Sequence, residues 1–219
     1  MKRNSLTELL KSAEEALGPG PPYLGVAARH WAGPRLAELE DLYSERNGFF
    51  AFDRALRVFP AAPPDHVLSL NRWNELRLWR DAYGGLADNL LFFADDSFGV
   101  QFCVQEGAIF AFDPETATLE KLAEDLDGWI QVILSNVDYR TGRPFALDWQ
   151  AANGTIEPTL RLVPKQLFML GGEYTLDNFY ALDAVEAMRF RGEIARQTHD
   201  LPDGAQVRFV ITEKGARRP

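Results

Sequence analysis

The chain has 219 residues, 46% hydrophobic and 25% charged, a composition that supports a packed core and excludes a disordered polymer. Its 23 basic and 32 acidic side chains leave a net charge of −9, and the local basic excess, Arg217 and Arg218, sits at the C-terminal end; with no basic stripe to displace counterions, the reading excludes nucleic acid as a partner and favours a basic protein. No run of about 18 apolar residues offers a membrane span, and the opening MKRNSLTELLKSAEEAL alternates charged and apolar residues where a signal peptide needs a continuous apolar stretch, so the expected compartment is the cytoplasm, without membrane contact.

Ser5-Leu6-Thr7-Glu8 reads as a capping box that opens a first helix, stopped by Gly18-Pro19-Gly20-Pro21-Pro22. A second helix is predicted from about Pro34 to Arg46, with Leu36, Leu39 and Tyr43 on one side and Asn47-Gly48 as its stop. The aromatic FFAFDRALRVFP then reads as β structure, and a helix capped by Asn71 carries Trp73, Leu76 and Tyr83 up to Gly84-Gly85. Residues 90–113 hold three aromatic or β-branched runs separated by Asp95-Asp96-Ser97 and by Glu106-Gly107, the pattern of an antiparallel meander. Cys103, the one cysteine, lies inside it between Phe102 and Val104 and reads as a buried small apolar residue, with no disulfide or cysteine-based metal cluster. After the turn at Asp113-Pro114-Glu115-Thr116, the positions Leu119, Leu122, Leu126, Trp129, Ile130 and Ile133 predict one long helix covering a face of the meander.

From about Tyr139 the pattern becomes loop-rich, with short apolar runs at 160–163 and 167–170, a helix over 183–199 and a last strand from Ala205 to Thr212. The predicted fold class is therefore α+β: a mainly antiparallel meander covered by helices in residues 1–140, and a smaller α+β C-terminal annex in residues 141–219.

Chemistry is harder to find. His30, His66 and His199 are far apart and none falls in a metal spacing such as H-E-x-x-H, so neither metal nor cofactor is expected and no catalytic residue is assigned. Gly171-Gly172 lacks the Lys-Ser/Thr of a phosphate loop and reads as a bend. Asp95 and Asp96 read first as turn residues, and otherwise as carboxylates that, with Glu173, could hold a cation or face a partner. Of five tryptophans, Trp129 reads as core, while Trp31 and Trp149, in loop-like stretches, read as interface candidates as well as packing residues. The partner-binding candidates are thus Asp95, Asp96, Trp149 and Glu173.

The order of these elements resembles the SUKH superfamily, which includes bacterial toxin-immunity proteins and a fungal regulator of cell-wall synthesis. The resemblance is carried by LAELEDLYSERNGFFAF from Leu36, the meander LLFFADDSFGVQFCV, the strand and turn AIFAFDPET, and LDGWIQVIL; the run from VPKQLFMLGGEYTLDNFYALDAVEAMRF to LPDGAQVRF resembles the C-terminal extension of longer bacterial members. Where members commonly place Gly-Asn after the meander turn, this chain has Gly99-Val100. The resemblance implies a non-enzymatic fold whose concave sheet face binds protein partners, in many bacterial members a cognate toxin. The leading expectation is an immunity protein that neutralises a basic toxin or effector through its meander face and annex loops. A cytoplasmic interaction scaffold or regulatory adaptor without a toxin partner is the alternative, and an enzyme with a site around Asp95, Asp96 and Glu173 is the third reading.

Overall fold

The structure is a computed structural model that describes residues 3–202 and 204–205. It is α+β. Six strands, β1 (Phe49–Ala51), β2 (Leu56–Val58), β3 (Leu91–Asp96), β4 (Gln101–Gln105), β5 (Ala108–Phe112) and β6 (Leu119–Ala123), form a sheet in which each strand pairs antiparallel with the next in sequence. A separate antiparallel pair, β7 (Leu160–Pro164) and β8 (Phe179–Asp183), lies in the annex.

Every residue of β3 is buried, which requires cover on both faces of the sheet. On one face Phe93 and Phe102 meet the ring of Trp129, at centroid distances of 4.9 and 5.6 Å, from helix α5 (Leu126–Ser135). Helix α1 (Arg3–Lys11) packs against α5, and the Ser5 hydroxyl donates to Asp127. On the other face Phe92 meets Trp79 at 5.0 Å and Phe112 at 5.4 Å, and Phe112 meets Tyr83 at 5.2 Å. Outside Tyr83 lies helix α8 (Ala184–Thr198), whose Gly192 brings its backbone so close to the ring that a Cβ there would sit 2.6 Å from it. The aromatic face expected to receive a partner is therefore filled along β3 by Trp79, Tyr83 and α8.

Helix α2 (Val26–Ala32) and helix α3 (Leu36–Glu45) precede the sheet, and α3 starts after a 3-10 turn containing Pro34, as the proline and the apolar spacing predict. Helix α4 (Leu70–Trp73) is a single turn capped by Ser69, not Asn71, because the Ser69 hydroxyl accepts from the Asn71 and Arg72 amides. The long helix predicted from Leu119 divides in two. Ala117 takes a left-handed φ of 58° and reverses the chain, so that Leu119 pairs with Phe112 as strand β6, and Asp125, accepting from the Gly128 amide at 2.7 Å, caps α5 afresh. Leu119 and Leu122 match a helical period by coincidence, being three residues apart within a strand.

The stretch read as loop-rich is also helical: α6 (Val137–Thr141) and α7 (Arg143–Asn153). Gly142 ends α6 in the left-handed conformation, Pro144 stands in the first turn of α7, and Gly154 follows its last residue. The punctuating residues mark helix ends, and the boundary placed near residue 140 falls inside α6. Helix α8 matches its prediction, capped by Asp183, which accepts from the Val185 and Glu186 amides. The last strand expected from Ala205 to Thr212 lies, beyond Ala205, outside the described residues.

Two apolar clusters result. The large one fills the six-stranded sheet and includes Ala184, Met188 and Ala195 of α8; the small one, Trp149, Ile156, Leu162 and Phe179, belongs to the annex, with Phe98 and Phe145 packed on it. Among the described residues no helix is long and apolar enough to cross a membrane.

Candidate functional site

Arg57 of β2 stands opposite Asp95 of β3 in the sheet register, and Arg161 of β7 reaches the same carboxylate from the annex. Arg57 binds it in bidentate fashion at 2.9 and 2.6 Å, and Arg161 does so at 3.0 and 2.8 Å. All three side chains are at most 2% exposed. Arg57 also donates to the Pro158 carbonyl at 2.7 Å, while the Leu162 amide donates to the Ser97 carbonyl at 2.8 Å, so that this cluster joins the sheet to the annex. Burial alone pushes the Asp95 carboxyl up, but the charges and hydrogen bonds of Arg161 and Arg57 outweigh it and hold the group below its usual value. Burial and the neighbouring Arg161 lower Arg57 to about 10, which leaves it charged at neutral pH.

Asp96 points elsewhere. Its Oδ1 accepts from the Phe98 and Val100 amides, both at 2.9 Å, and closes the β3–β4 turn in the way expected of a turn aspartate. Burial, aided by the charge of Asp95 and opposed by those two amides and Arg161, raises its carboxyl to about 7. Neither aspartate presents its carboxylate to solvent, so as partner-contact residues both are corrected to internal ones. Trp149 is likewise internal: it lies on α7, not in a loop, and is 8% exposed in the annex cluster. Cys103 is buried, as read from its neighbours, and burial pushes its thiol up. Among the described residues no group of three or more His, Cys, Asp or Glu side chains is placed to hold a metal ion. Glu173, exposed in the annex, is not in Asp95's partner set of Arg57 and Arg161.

Glu173 belongs to residues 165–178, which connect β7 to β8 and leave several apolar side chains exposed. Phe168, Leu170, Tyr174 and Leu176 are between 38 and 52% exposed, and Glu173 and Asp177 lie exposed between them. Three side chains tie the loop together, Asn178 most extensively: it accepts from the Gln166 amide at 2.9 Å and donates to the Gln166 and Glu173 carbonyls at 3.1 and 2.9 Å. Lys165 Nζ donates to the Asp177 carbonyl at 2.6 Å, and Gln166 Nε2 to the Leu170 carbonyl at 2.8 Å. Gly172 approaches so closely that a Cβ would lie 1.9 Å from the Gln166 carbonyl oxygen, which explains the Gly171-Gly172 pair as a packing bend. Tyr174 leans on Phe145, Phe98 and Phe179, with centroids 4.5 to 5.5 Å away, so one edge of the ring is anchored and the other faces solvent.

A second apolar patch, Tyr23, Val26 and Leu76, borders a groove of about 360 Å³ beside the half-buried Trp31, whose ring receives the Arg80 guanidinium at 4.5 Å. Its surroundings are mixed in charge, with exposed Arg77 beside Glu75 of the groove and Arg29 paired with Glu40 at 2.9 Å, whereas the 165–178 loop carries two exposed carboxylates, Glu173 and Asp177. The sequence missed Arg57 and Arg161 as partners of Asp95. Their signal was a charged residue inside an apolar strand run, FFAFDRALRVF and LRLVP, which asks for a buried counter-charge.

No family model matches the chain, and no curated protein matches it. Among solved structures it is similar to the crystal structure of Atu4351 from Agrobacterium tumefaciens, with a TM-score of 0.54 and 13% identity, covering 88% of this chain and 89% of that one. At that identity the likeness concerns the fold alone, an α+β architecture shared over most of both chains.

Proposed function

We propose that the chain is a non-enzymatic protein-binding module and, in keeping with its resemblance to the SUKH superfamily, a cytoplasmic immunity protein that binds and neutralises a basic toxin or effector. The observation that supports this reading best is the 165–178 loop, where four exposed apolar side chains and two exposed carboxylates ride on a backbone fixed by Asn178. A surface ordered before binding loses little conformational entropy on association, and its aromatic residues supply contact area with few rotatable bonds. The net charge of −9 favours encounter with a basic partner and leaves the apolar contacts to hold it.

The immobilised protein should capture its partner from a lysate of its own source, and co-expression with that partner should restore growth of cells that the partner alone arrests. Capture of a partner that harms no cell would favour the scaffold or adaptor reading. A growth-arresting partner protected equally well by a Tyr174→Ala, Leu176→Ala double variant would count against the loop as the contact surface.

A further inference from the structure

Among the described residues four arginines are no more than 2% exposed: Arg57, Arg80, Arg161 and Arg191. Two of them share the Asp95 carboxylate. Arg80 donates to the Asn74 and Ala87 carbonyls and lies over the rings of Trp31 and Phe92, so its charge is met by carbonyls and π faces. Arg191, on α8, is also met by carbonyls, but by no carboxylate. Its five N–H donors meet the Ala187 carbonyl at 3.2 Å, the Phe98 carbonyl at 2.7 Å and the Met188 sulfur at 3.8 Å, a weak acceptor. No carboxylate of the described residues lies within ion-pair distance of it. Glu115 of the neighbouring turn feels the Arg191 charge without touching it; a buried cation with no carboxylate in direct contact is costly, and an empty space beside it is where a contacting counter-charge would sit.

Such a space is present. Arg191 lines a cavity of about 180 Å³ between the turn at 113–116 and the annex, walled by Phe98, Val100, Pro164, Phe168 and Phe179. Gly99, at a left-handed φ of 81°, makes room for the guanidinium: a Cβ there would lie 2.5 Å from Nη2. We propose that this cavity binds a small apolar monocarboxylate, its carboxylate on Arg191 and its hydrocarbon body among the phenylalanine rings. The volume is comparable to that of apolar cavities of about 150 Å³ that accept benzene. Asp113 and Glu115, the latter 5% exposed and accepting from the Met169 amide at 3.2 Å, lie in the same wall and offer no cation to a second anionic group. The cavity therefore selects one charge and not two.

Benzoate is the probe, with benzyl alcohol and terephthalate as comparisons, titrated into the full chain and followed by calorimetry and by the 15N–1H resonance of the Arg191 guanidinium. Benzoate should bind and shift that resonance; benzyl alcohol should be weaker by about tenfold or more because it loses the charge-assisted contact, and terephthalate by at least as much because its second carboxylate is buried beside Asp113 and Glu115. Arg191→Gln should abolish the preference for benzoate over benzyl alcohol. Because that variant loses the tie to the Phe98 carbonyl and could fail to fold, Met169→Trp, a half-buried wall position, serves as a second, and should block binding while the protein stays folded. The proposal is overturned if benzoate does not bind the unaltered chain, if it binds no better than benzyl alcohol, or if it binds without moving the Arg191 resonance. It is also overturned if a peptide with a free C-terminal phenylalanine binds tighter than benzoate, which would make the cavity a site for a chain terminus.

Discussion

Asp95 and Glu173 both looked like acids available to a partner, and the structure gives them opposite surroundings. Asp95 is sealed between two guanidinium groups at the junction of sheet and annex, where its charge is consumed by the fold. Glu173 stands in solvent on a loop whose order comes from backbone hydrogen bonds to Asn178, so its charge is left for outside use. The difference teaches that acidity alone does not mark a contact surface: what matters is whether the acid's counter-charge is already inside the molecule. Variants at the two places should therefore separate stability from binding.

The largest expected effect is at the junction. Asp95→Ala leaves two buried arginines facing each other without a carboxylate, and should cost about 3–5 kcal/mol of unfolding free energy, read from urea denaturation. Replacing Asp95, Arg57 and Arg161 together by apolar residues of similar size should recover most of that loss. A single Asp95→Ala variant as stable as the parent would show that the cluster does not join the two regions.

Next comes Trp149, read from the sequence both as a packing residue and as an interface candidate. Truncation to Ala empties much of the small annex cluster and should cost about 3 kcal/mol. Loop residues left intact, partner dissociation should change only in so far as the annex loosens. A Trp149→Ala protein of unchanged stability that releases its partner faster would favour the interface side of that reading.

A pH-dependent effect follows from Asp96. Its folded-state value of about 7 lies above the roughly 3.9 of an unfolded aspartate, so the native state binds the extra proton and is favoured at low pH. Its contribution is fully present below about pH 4 and declines as pH rises through 7, by up to ~1.4 kcal/mol per pH unit inside that window. Asp95 acts in the opposite sense: its depressed value contributes stability above about pH 4 that is lost on further acidification. Unfolding free energies of the parent and of Asp96→Asn, compared between pH 4 and 8, should diverge in favour of Asn as pH rises. A constant difference across that range would mean that Asp96 does not titrate there.

Much of this fold was legible because strong local signals agreed with it. The meander was readable from LLFFADD, VQFCVQ and AIFAF, and α8 from Asp183 followed by apolar residues at helical spacing. Errors arose where one residue served two grammars. Leu119 and Leu122 fit a helix until the left-handed Ala117 shows the chain reversing, and Gly142 with Pro144 looked like loop but cap two helices end to end. The site was less legible because its parts are distant in sequence: Arg57, Asp95 and Arg161 span 104 positions, as do the Phe98 carbonyl and Arg191 over 93, and only the fold brings them together. Glu173 drew attention through its acidity and its glycine neighbours, whereas Phe168 was one residue of the apolar run 167–170 and Leu176 carried no signal, although both are exposed.

The smallest change in stability should accompany the largest change in recognition. Glu173→Lys with Asp177→Lys reverses two exposed carboxylates and should shift unfolding by no more than about 0.5 kcal/mol. The direct test of the account is the association rate of the captured partner with this double variant and with the parent, measured as ionic strength rises from about 0.05 to 0.5 M. The account predicts slower association for the variant at low salt, converging on the parent at high salt, with the dissociation rate nearly unchanged. Association equal to that of the parent at every salt concentration would contradict the 165–178 loop as the acidic surface that meets the partner.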